Sequence, residues 1–169
     1  MIREIYFAGG CFWGTEHYFK QVRGVIATET GYANGNTPNP SYNEVYTDNT
    51  GYAECVHITY DTEVVTLRML VELFFRSIDP LSLNRQGNDI GTRYRTGIYY
   101  CDDSDIETIQ GIYNEIEERC GERLCVELEP IQNFYCAEEY HQDYLDKNPS
   151  GYCHIPYALM IMAREANKE

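Results

Sequence analysis

Several things are missing from this 169-residue sequence, and each absence narrows what it can be. No apolar run approaches the eighteen or so residues that a membrane span requires. Positive charge is scarce: 13 Lys and Arg stand against 27 Asp and Glu, a formal net charge of −14. Such a surface repels phosphates, which argues against nucleic acid and anionic membranes as partners; the acidity is read as a solubility device. No Cys-x-x-Cys pair occurs, so neither a zinc ribbon nor a thioredoxin-type motif is present. The start, Met1-Ile2-Arg3-Glu4, lacks the apolar core of a signal peptide, and a cytoplasmic protein is expected. There is no internal repeat, low-complexity tract or domain-breaking linker, so residues 1–169 are expected to form one domain.

What is present centres on Gly9-Gly10-Cys11-Phe12-Trp13-Gly14. An apolar run over residues 5–8 ends there and a helical pattern over 15–22 begins. A strand entering a helix through paired glycines makes a tight turn. Cys11 then falls in the first helical turn, where unpaired N–H groups and the positive end of the helix dipole favour a thiolate. A pKa below the free value of roughly 8.5 is therefore expected. The only tryptophan is two residues further on. A nucleophilic thiolate beside two large aromatic side chains suits an apolar, uncharged substrate. Of the seven cysteines, Cys55, Cys101, Cys120, Cys125 and Cys136 read as free thiols acting as small hydrophobes in a reducing compartment.

Along the chain, residues 25–32 read as a strand rich in β-branched side chains, followed by a Gly, Asn and Pro loop over 31–40 and a short segment over 41–46. Residues 52–60 alternate: Glu54, Val56, Ile58 and Tyr60 share one face, and Cys55, His57 and Thr59 the other. A carboxylate among three hydrophobes lies either at the rim or in an apolar pocket. Residues 63–78 and 105–120 carry helical apolar stripes, the second ended by Gly121. The polar stretch over 79–96 is long enough to be functional. Strands are expected at 97–101 and 124–128, a polar helix at 137–146, turn formers over 147–153, and a peripheral, partly helical tail. The element order predicts an α+β two-layer sandwich with a ferredoxin-like (split βαβ) core, long functional loops and a C-terminal coil.

Five segments in order carry a resemblance: Gly10-Cys11-Phe12-Trp13-Gly14; Gly31-Tyr32-Ala33; Gly51-Tyr52-Ala53-Glu54; Asn84-Arg85-Gln86-Gly87-Asn88-Asp89-Ile90-Gly91-Thr92-Arg93-Tyr94-Arg95; and His141-Gln142-Asp143-Tyr144-Leu145. Together, from about Phe7 to Tyr152-Cys153, the sequence resembles the peptide methionine sulfoxide reductase A family, whose chemistry restores methionine from its sulfoxide. Tyr52 departs from the histidine many members have, a change expected to alter packing more than chemistry.

The resemblance implies roles. Cys11 is the nucleophile, in agreement with the reading of its turn. Glu54 is the acid, its pKa raised if its surroundings are apolar. Tyr42 and Tyr94 match tyrosines whose hydroxyls bind the sulfoxide oxygen. Phe12 and Trp13 form the pocket for the substrate's terminal methyl, and Asp89, His141 and Tyr144 line it. Attack by Cys11 leaves a sulfenic acid, and Cys153, in the turn-rich Gly-Tyr-Cys context where the family places its resolving cysteine, condenses with it. Only a cysteine-free tail follows Cys153, so the Cys11–Cys153 disulfide is the final one, reduced directly by an external dithiol such as thioredoxin. Cys120, Cys125 and Cys136 remain rival resolvers. Neither cofactor nor metal is implied. The substrate is methionine S-sulfoxide, free or in oxidised proteins.

Two other functions fit part of the pattern. A thiol peroxidase would use the same low-pKa Cys11, a sulfenic acid and a resolver, but has no need of an aromatic cage for a methyl group. A metal-binding module would use Cys153, His154 and His141, whose spacing lacks the paired ligands such sites show.

Overall fold

A computed structural model describes residues 1–168. Its centre is a six-stranded sheet of order β7-β6-β1-β3-β2-β8, formed by β1 (Ile2–Gly9), β2 (Val25–Ala33), β3 (Ala53–Asp61), β6 (Thr96–Tyr100), β7 (Glu127–Pro130) and β8 (Phe134–Cys136). The inner four, β6-β1-β3-β2, pair antiparallel throughout, which is the split βαβ arrangement expected from the sequence. β7 extends it in parallel beside β6, and β8 adds an antiparallel edge to β2. β7 begins at Glu127 and runs to Pro130, later than the apolar pattern suggests.

Two helices cover one face: α1 (Phe12–Lys20) and α3 (Leu67–Arg76). Both pack on the same strand residue. Phe7 of β1 stacks on Phe19 of α1 and on Phe74 of α3, each with centroids 4.9 Å apart. Burying a phenylalanine completely is worth roughly 1.5–3 kcal/mol, so this sandwich is a main tie between the layers. Thr66 caps α3 by accepting from the N–H of Met69 at 3.1 Å, and α4 (Ile106–Cys120) packs beside it and stops at Gly121 in the left-handed conformation.

The other face of the sheet is closed only near the C-terminal end of β1. There Ala8, Ala33, Ala53, Cys55 and Tyr99 are buried beneath Tyr6, Ile131 and Phe134. β3 is therefore buried on both faces from Ala53 to Val56 and alternates only beyond.

The connections hold most of the surprises. Residues 41–46 form α2 (Tyr42–Tyr46), nucleated by a capping box between Ser41 and Glu44. The long polar connection contains a two-residue hairpin, β4 (Arg85–Gln86) against β5 (Asp89–Ile90), turned at Gly87 (φ 60°). The buried amide of Gln86 pins it by accepting from the N–H of Asp79 at 2.8 Å and donating to the carbonyl of Asp79 at 3.0 Å. The helix expected at 137–146 is broken into a 3-10 turn over Glu139–His141 and the short α5 (Tyr144–Lys147). The reason is tertiary. Gln142 spends its amide on both backbone groups of Thr30, and Asp143 adopts φ 54° with its N–H held by Glu16. The tail is more than coil: it contains α6 (Tyr157–Glu165), which buries Met160 and Ala163 against α1. Among the described residues no helix is long and apolar enough to cross a membrane.

Candidate active site

The site lies where β1 runs into α1. Gly10 turns the chain with φ 89°, which only glycine adopts without strain, and Cys11 is the N-cap of α1. Thr15 ties the turn by donating to the carbonyl of Gly9 at 3.3 Å. Cys11 is 6% exposed.

The register of β3 sends Glu54 to the helical face, beneath this turn. Its carboxyl is 1% exposed, which resolves the choice between rim and pocket in favour of the pocket. Oε1 accepts from the N–H of Phe12 at 3.1 Å. Burial is the main force on Glu54 and pushes its pKa up to about 8; the Phe12 N–H and Arg93 pull it down, and Asp89 and Asp48 push it up. The carboxyl is thus neutral at pH 7 and holds a proton to give.

Cys11 corrects one expectation. Its pKa lies well above the ordinary thiol value, not below it. Burial is the first cause, and negative charge on Glu54 and Asp89 adds to it. The backbone N–H groups of Trp13 and Gly14 pull the other way, as a helix start should, but do not outweigh the loss of water. Sequence position alone shows the helix start and not the depth of the turn. The resting sulfur is a thiol.

Around the pair stand the aromatic residues expected from the sequence. Burial, then Glu54, raises the pKa of both Tyr42 (to about 12) and Tyr94, and the charge of Cys11 acts on both. Phe12 is buried under Tyr32 and His141, with centroids 5.8 and 5.1 Å away. Trp13 is half-buried; Tyr144 stacks on it at 3.7 Å and 9°. Its indole N–H donates to Nδ1 of His141 at 2.9 Å. Since Nδ1 accepts, the proton of neutral His141 is on Nε2, which is buried and has no partner among the described residues. Burial lowers the pKa of His141 and keeps it neutral. Asp89, on β5, accepts from the hydroxyl of Tyr152 at 2.9 Å.

Cys153 lies against the first turn of α1. A Cβ added at Gly14 would stand 3.2 Å from its Sγ. Its thiol donates to the carbonyl of Ile155 at 3.4 Å, and all seven cysteines are free. A cavity of about 350 Å³ opens beside Cys153, lined among others by His17, Leu145, Tyr157 and Met160. The rival thiols lie on other elements: Cys136 is exposed on the edge strand β8, bonded to Glu29, Cys120 ends α4, and Cys125 donates to the carbonyl of Leu81. Among the described residues no cluster of three or more His, Cys, Asp or Glu side chains converges as a metal site would.

Supporting residues that sequence reasoning missed tie the segments together. Glu138 accepts from the hydroxyl of Tyr32 at 2.8 Å and from the N–H of Tyr42 at 3.0 Å, so one carboxylate joins β2 to α2. Asp48 accepts from the N–H of Arg93 at 3.0 Å and from its guanidinium at 2.6 Å; Arg93 in turn stacks on Tyr46 and Tyr94. Glu16, on α1, accepts from Thr28 and from the N–H of Asp143, setting the segment that carries His141 and Tyr144. Arg93 and Glu138 sit inside or next to the recognised motifs, the one signal that could have found them.

A ferredoxin-like sheet that presents a cysteine at a strand-to-helix turn, above a protonated carboxyl and within a ring of aromatic side chains, defines a cysteine-bearing oxidoreductase. Comparison with known proteins makes this particular. A sequence profile described as peptide methionine sulfoxide reductase matches residues 3–169. The peptide methionine sulfoxide reductase MsrA of Clostridium acetobutylicum is 51% identical over 159 residues, covering 94% of this chain and 98% of that protein. Among solved structures, reduced Mxr1 from Saccharomyces cerevisiae superimposes with a TM-score of 0.85 at 42% identity, covering 90% of this chain and 88% of that one. Mxr1 in complex with Trx2 gives 0.60 at 30% identity, covering 85% and 84%. The chain belongs to the peptide methionine sulfoxide reductase family and is an oxidoreductase that reduces methionine sulfoxide.

Proposed function

We propose that the chain reduces the S epimer of methionine sulfoxide, free or in oxidised proteins, by direct attack of Cys11 on the sulfoxide sulfur, and that a dithiol protein of the thioredoxin type restores it. The observation that carries this reading is the buried, neutral Glu54 held beneath the nucleophile by the N–H of Phe12. Sulfoxide oxygen is a poor leaving group until it is protonated, and the neutral Glu54 is a buried group able to supply that proton. Tyr42 and Tyr94 donate to the same oxygen as charge builds on it. Phe12 and Trp13 receive the methyl group; an aromatic edge beside sulfur is favourable by about 0.3–1.5 kcal/mol. The unpartnered Nε2–H of His141 and the carboxylate of Asp89 are a donor and an acceptor for the substrate's main chain.

In balance, the substrate's S–O bond breaks and an S–O bond forms on Cys11. The substrate sulfur gains two electrons and leaves as methionine; Cys11 loses two and becomes sulfenic acid. With Glu54 neutral, its push on Cys11 disappears, and the N–H groups of Trp13 and Gly14 favour the developing thiolate. Cys153 then condenses with the sulfenic acid, releasing water. The solved Mxr1–Trx2 complex supports a thioredoxin-type reductant.

The test is thiol stoichiometry after one equivalent of methionine sulfoxide without reductant. Wild type should lose two thiols, mapped to Cys11 and Cys153, and release one methionine. The Cys153→Ser variant should release one methionine and retain a sulfenic acid on Cys11. No methionine and no thiol loss in wild type would sink the reading, and turnover of hydrogen peroxide instead would favour the peroxidase.

A further inference from the structure

The residue after Cys153 has an unusual setting. The imidazole of His154 lies against the Cys11 turn between its two flanking glycines: a Cβ at Gly10 would stand 3.2 Å from Nε2, and one at Gly14 would stand 2.9 Å from Nδ1. Any side chain at residue 14 would strike both that ring and the Cys153 sulfur, which falls within 3.2 Å of the same point. The glycines that bracket the nucleophile therefore leave room for this ring beside the second thiol.

Its hydrogen bonding is one-sided. Nε2 lies 2.8 Å from the carbonyl oxygen of Gly9. A carbonyl only accepts, so Nε2 carries the proton and Nδ1 presents a lone pair. Nδ1 is buried and has no partner among the described residues. A buried, unused acceptor 2.9 Å from a point that the Cys153 sulfur also approaches to 3.2 Å calls for a partner that is present at only one stage of the reaction.

We propose that His154 Nδ1 is the general base that takes the thiol proton of Cys153 when Cys153 attacks the sulfenic acid of Cys11. The proposal rests on the reading of Cys11 as nucleophile and Cys153 as resolver. The Sγ–H of Cys153 turns from the carbonyl of Ile155 to Nδ1, and the proton passes to the ring. The thiolate attacks Sγ of Cys11, the S–S bond forms as the S–O bond breaks, and the departing hydroxide takes the proton back from Nδ1 and leaves as water. Both sulfurs end at the disulfide level, and no outside oxidant is needed. On reduction Nδ1 takes the proton of the attacking reductant thiol and passes it to Cys153 as the disulfide opens.

The chemistry of both groups supports a relay. Burial raises the pKa of the Cys153 thiol, so it does not ionise unaided near neutral pH. Burial lowers that of His154, while the Gly9 carbonyl and Asp89 raise it. Asp89 is the charged group that acts on the ring and the Cys153 thiol lies beside it at Gly14; neutral imidazole is the form a base requires.

The experiment separates the two half-reactions. Rapid quench of reduced protein mixed with one equivalent of methionine sulfoxide measures methionine release, which reports Cys11, and thiol loss, which reports closure by Cys153. His154→Gln keeps an N–H for the Gly9 carbonyl and removes the base. It should release methionine in the first turnover yet close the disulfide at least about 100-fold more slowly, regaining rate as pH rises toward thiol ionisation. Closure at the wild-type rate with normal methionine release overturns the proposal and leaves the function standing. No methionine release from wild type overturns the function and the proposal together. A second measurement needs no variant: the wild-type closure rate, taken from the sulfenic acid after methionine release, should be flat from pH 7 to 9 and fall only on the acid side of the ordinary imidazole range, because burial lowers the pKa of the ring. A tenfold rise per pH unit from pH 7 to 9, the signature of an unaided thiol, overturns the base role whatever the variant does.

Discussion

The N–H of Phe12 donates to Oε1 of Glu54 at 3.1 Å. One bond thus fixes the buried acid beneath the turn that carries Cys11, and it leaves the other carboxyl oxygen for the proton. Because burial raises Glu54 to about 8, the group keeps its proton through the neutral range and loses it as pH climbs past that value. Methionine release in a single turnover should be steady below pH 7 and decline through pH 8. Glu54→Gln should cut the rate by about 10²–10⁴-fold and remove that decline. A wild-type rate that rises through pH 8 to 9 would show that thiol ionisation, not the carboxyl proton, limits the step.

Trp13 does two jobs: its ring stacks on Tyr144, and its N–H selects the tautomer of His141. Trp13→Phe keeps an aromatic wall and loses the donor. KM for methionine sulfoxide should rise about tenfold, the worth of one hydrogen bond near 1.4 kcal/mol. Nitrogen NMR should show wild-type His141 as the Nε2–H tautomer and a mixture in the variant. An unchanged tautomer would remove the explanation even if KM rises.

Asp48 joins α2 to the turn bearing Tyr94 through Arg93, whose side chain is only 9% exposed. Asp48→Ala leaves that guanidinium without its carboxylate. Asp48 is itself part-exposed, so losing its charged hydrogen bonds costs about 1.5–3 kcal/mol, readable as a lower urea midpoint at unchanged slope. kcat should fall with it, since Tyr94 loses its anchor. Unaltered stability would mean that Arg93 is held by its rings alone.

Gly14→Ala sets two effects against each other. In a helix the exchange ordinarily stabilises by about 1 kcal/mol. Here the new methyl would meet His154 at 2.9 Å and Cys153 at 3.2 Å. The variant should release methionine in its first turnover and close the disulfide slowly. Normal closure would show that the segment over 148–155 gives way freely.

The contrast between sequence and structure is sharpest at Cys11 and Glu54. Paired glycines between an apolar run and a helical pattern are enough to place Cys11 at a strand-to-helix turn, because backbone sterics allow little else. The alternation of β3 is enough to put Glu54 on the face of Val56, Ile58 and Tyr60, because strand side chains have a period of two. The split βαβ order follows from the succession of elements, and the site residues from motifs that stand in one order along the chain.

What the sequence could not show depends on distance between segments. Whether Glu54 is wet or dry is decided by the turn packed over it, and whether Cys11 is acidic is decided by burial outweighing the helix start; its thiol pKa goes up where local reasoning sends it down. The helix expected over 137–146 gives way because Glu16 and Gln142 hold its backbone from other elements. α6 docks on α1, and His154 reaches the Cys11 turn, only because the chain returns there 143 residues later. Local chemistry determines which residues can react; the tertiary fold, by excluding water and bringing remote segments into contact, decides their protonation and their partners.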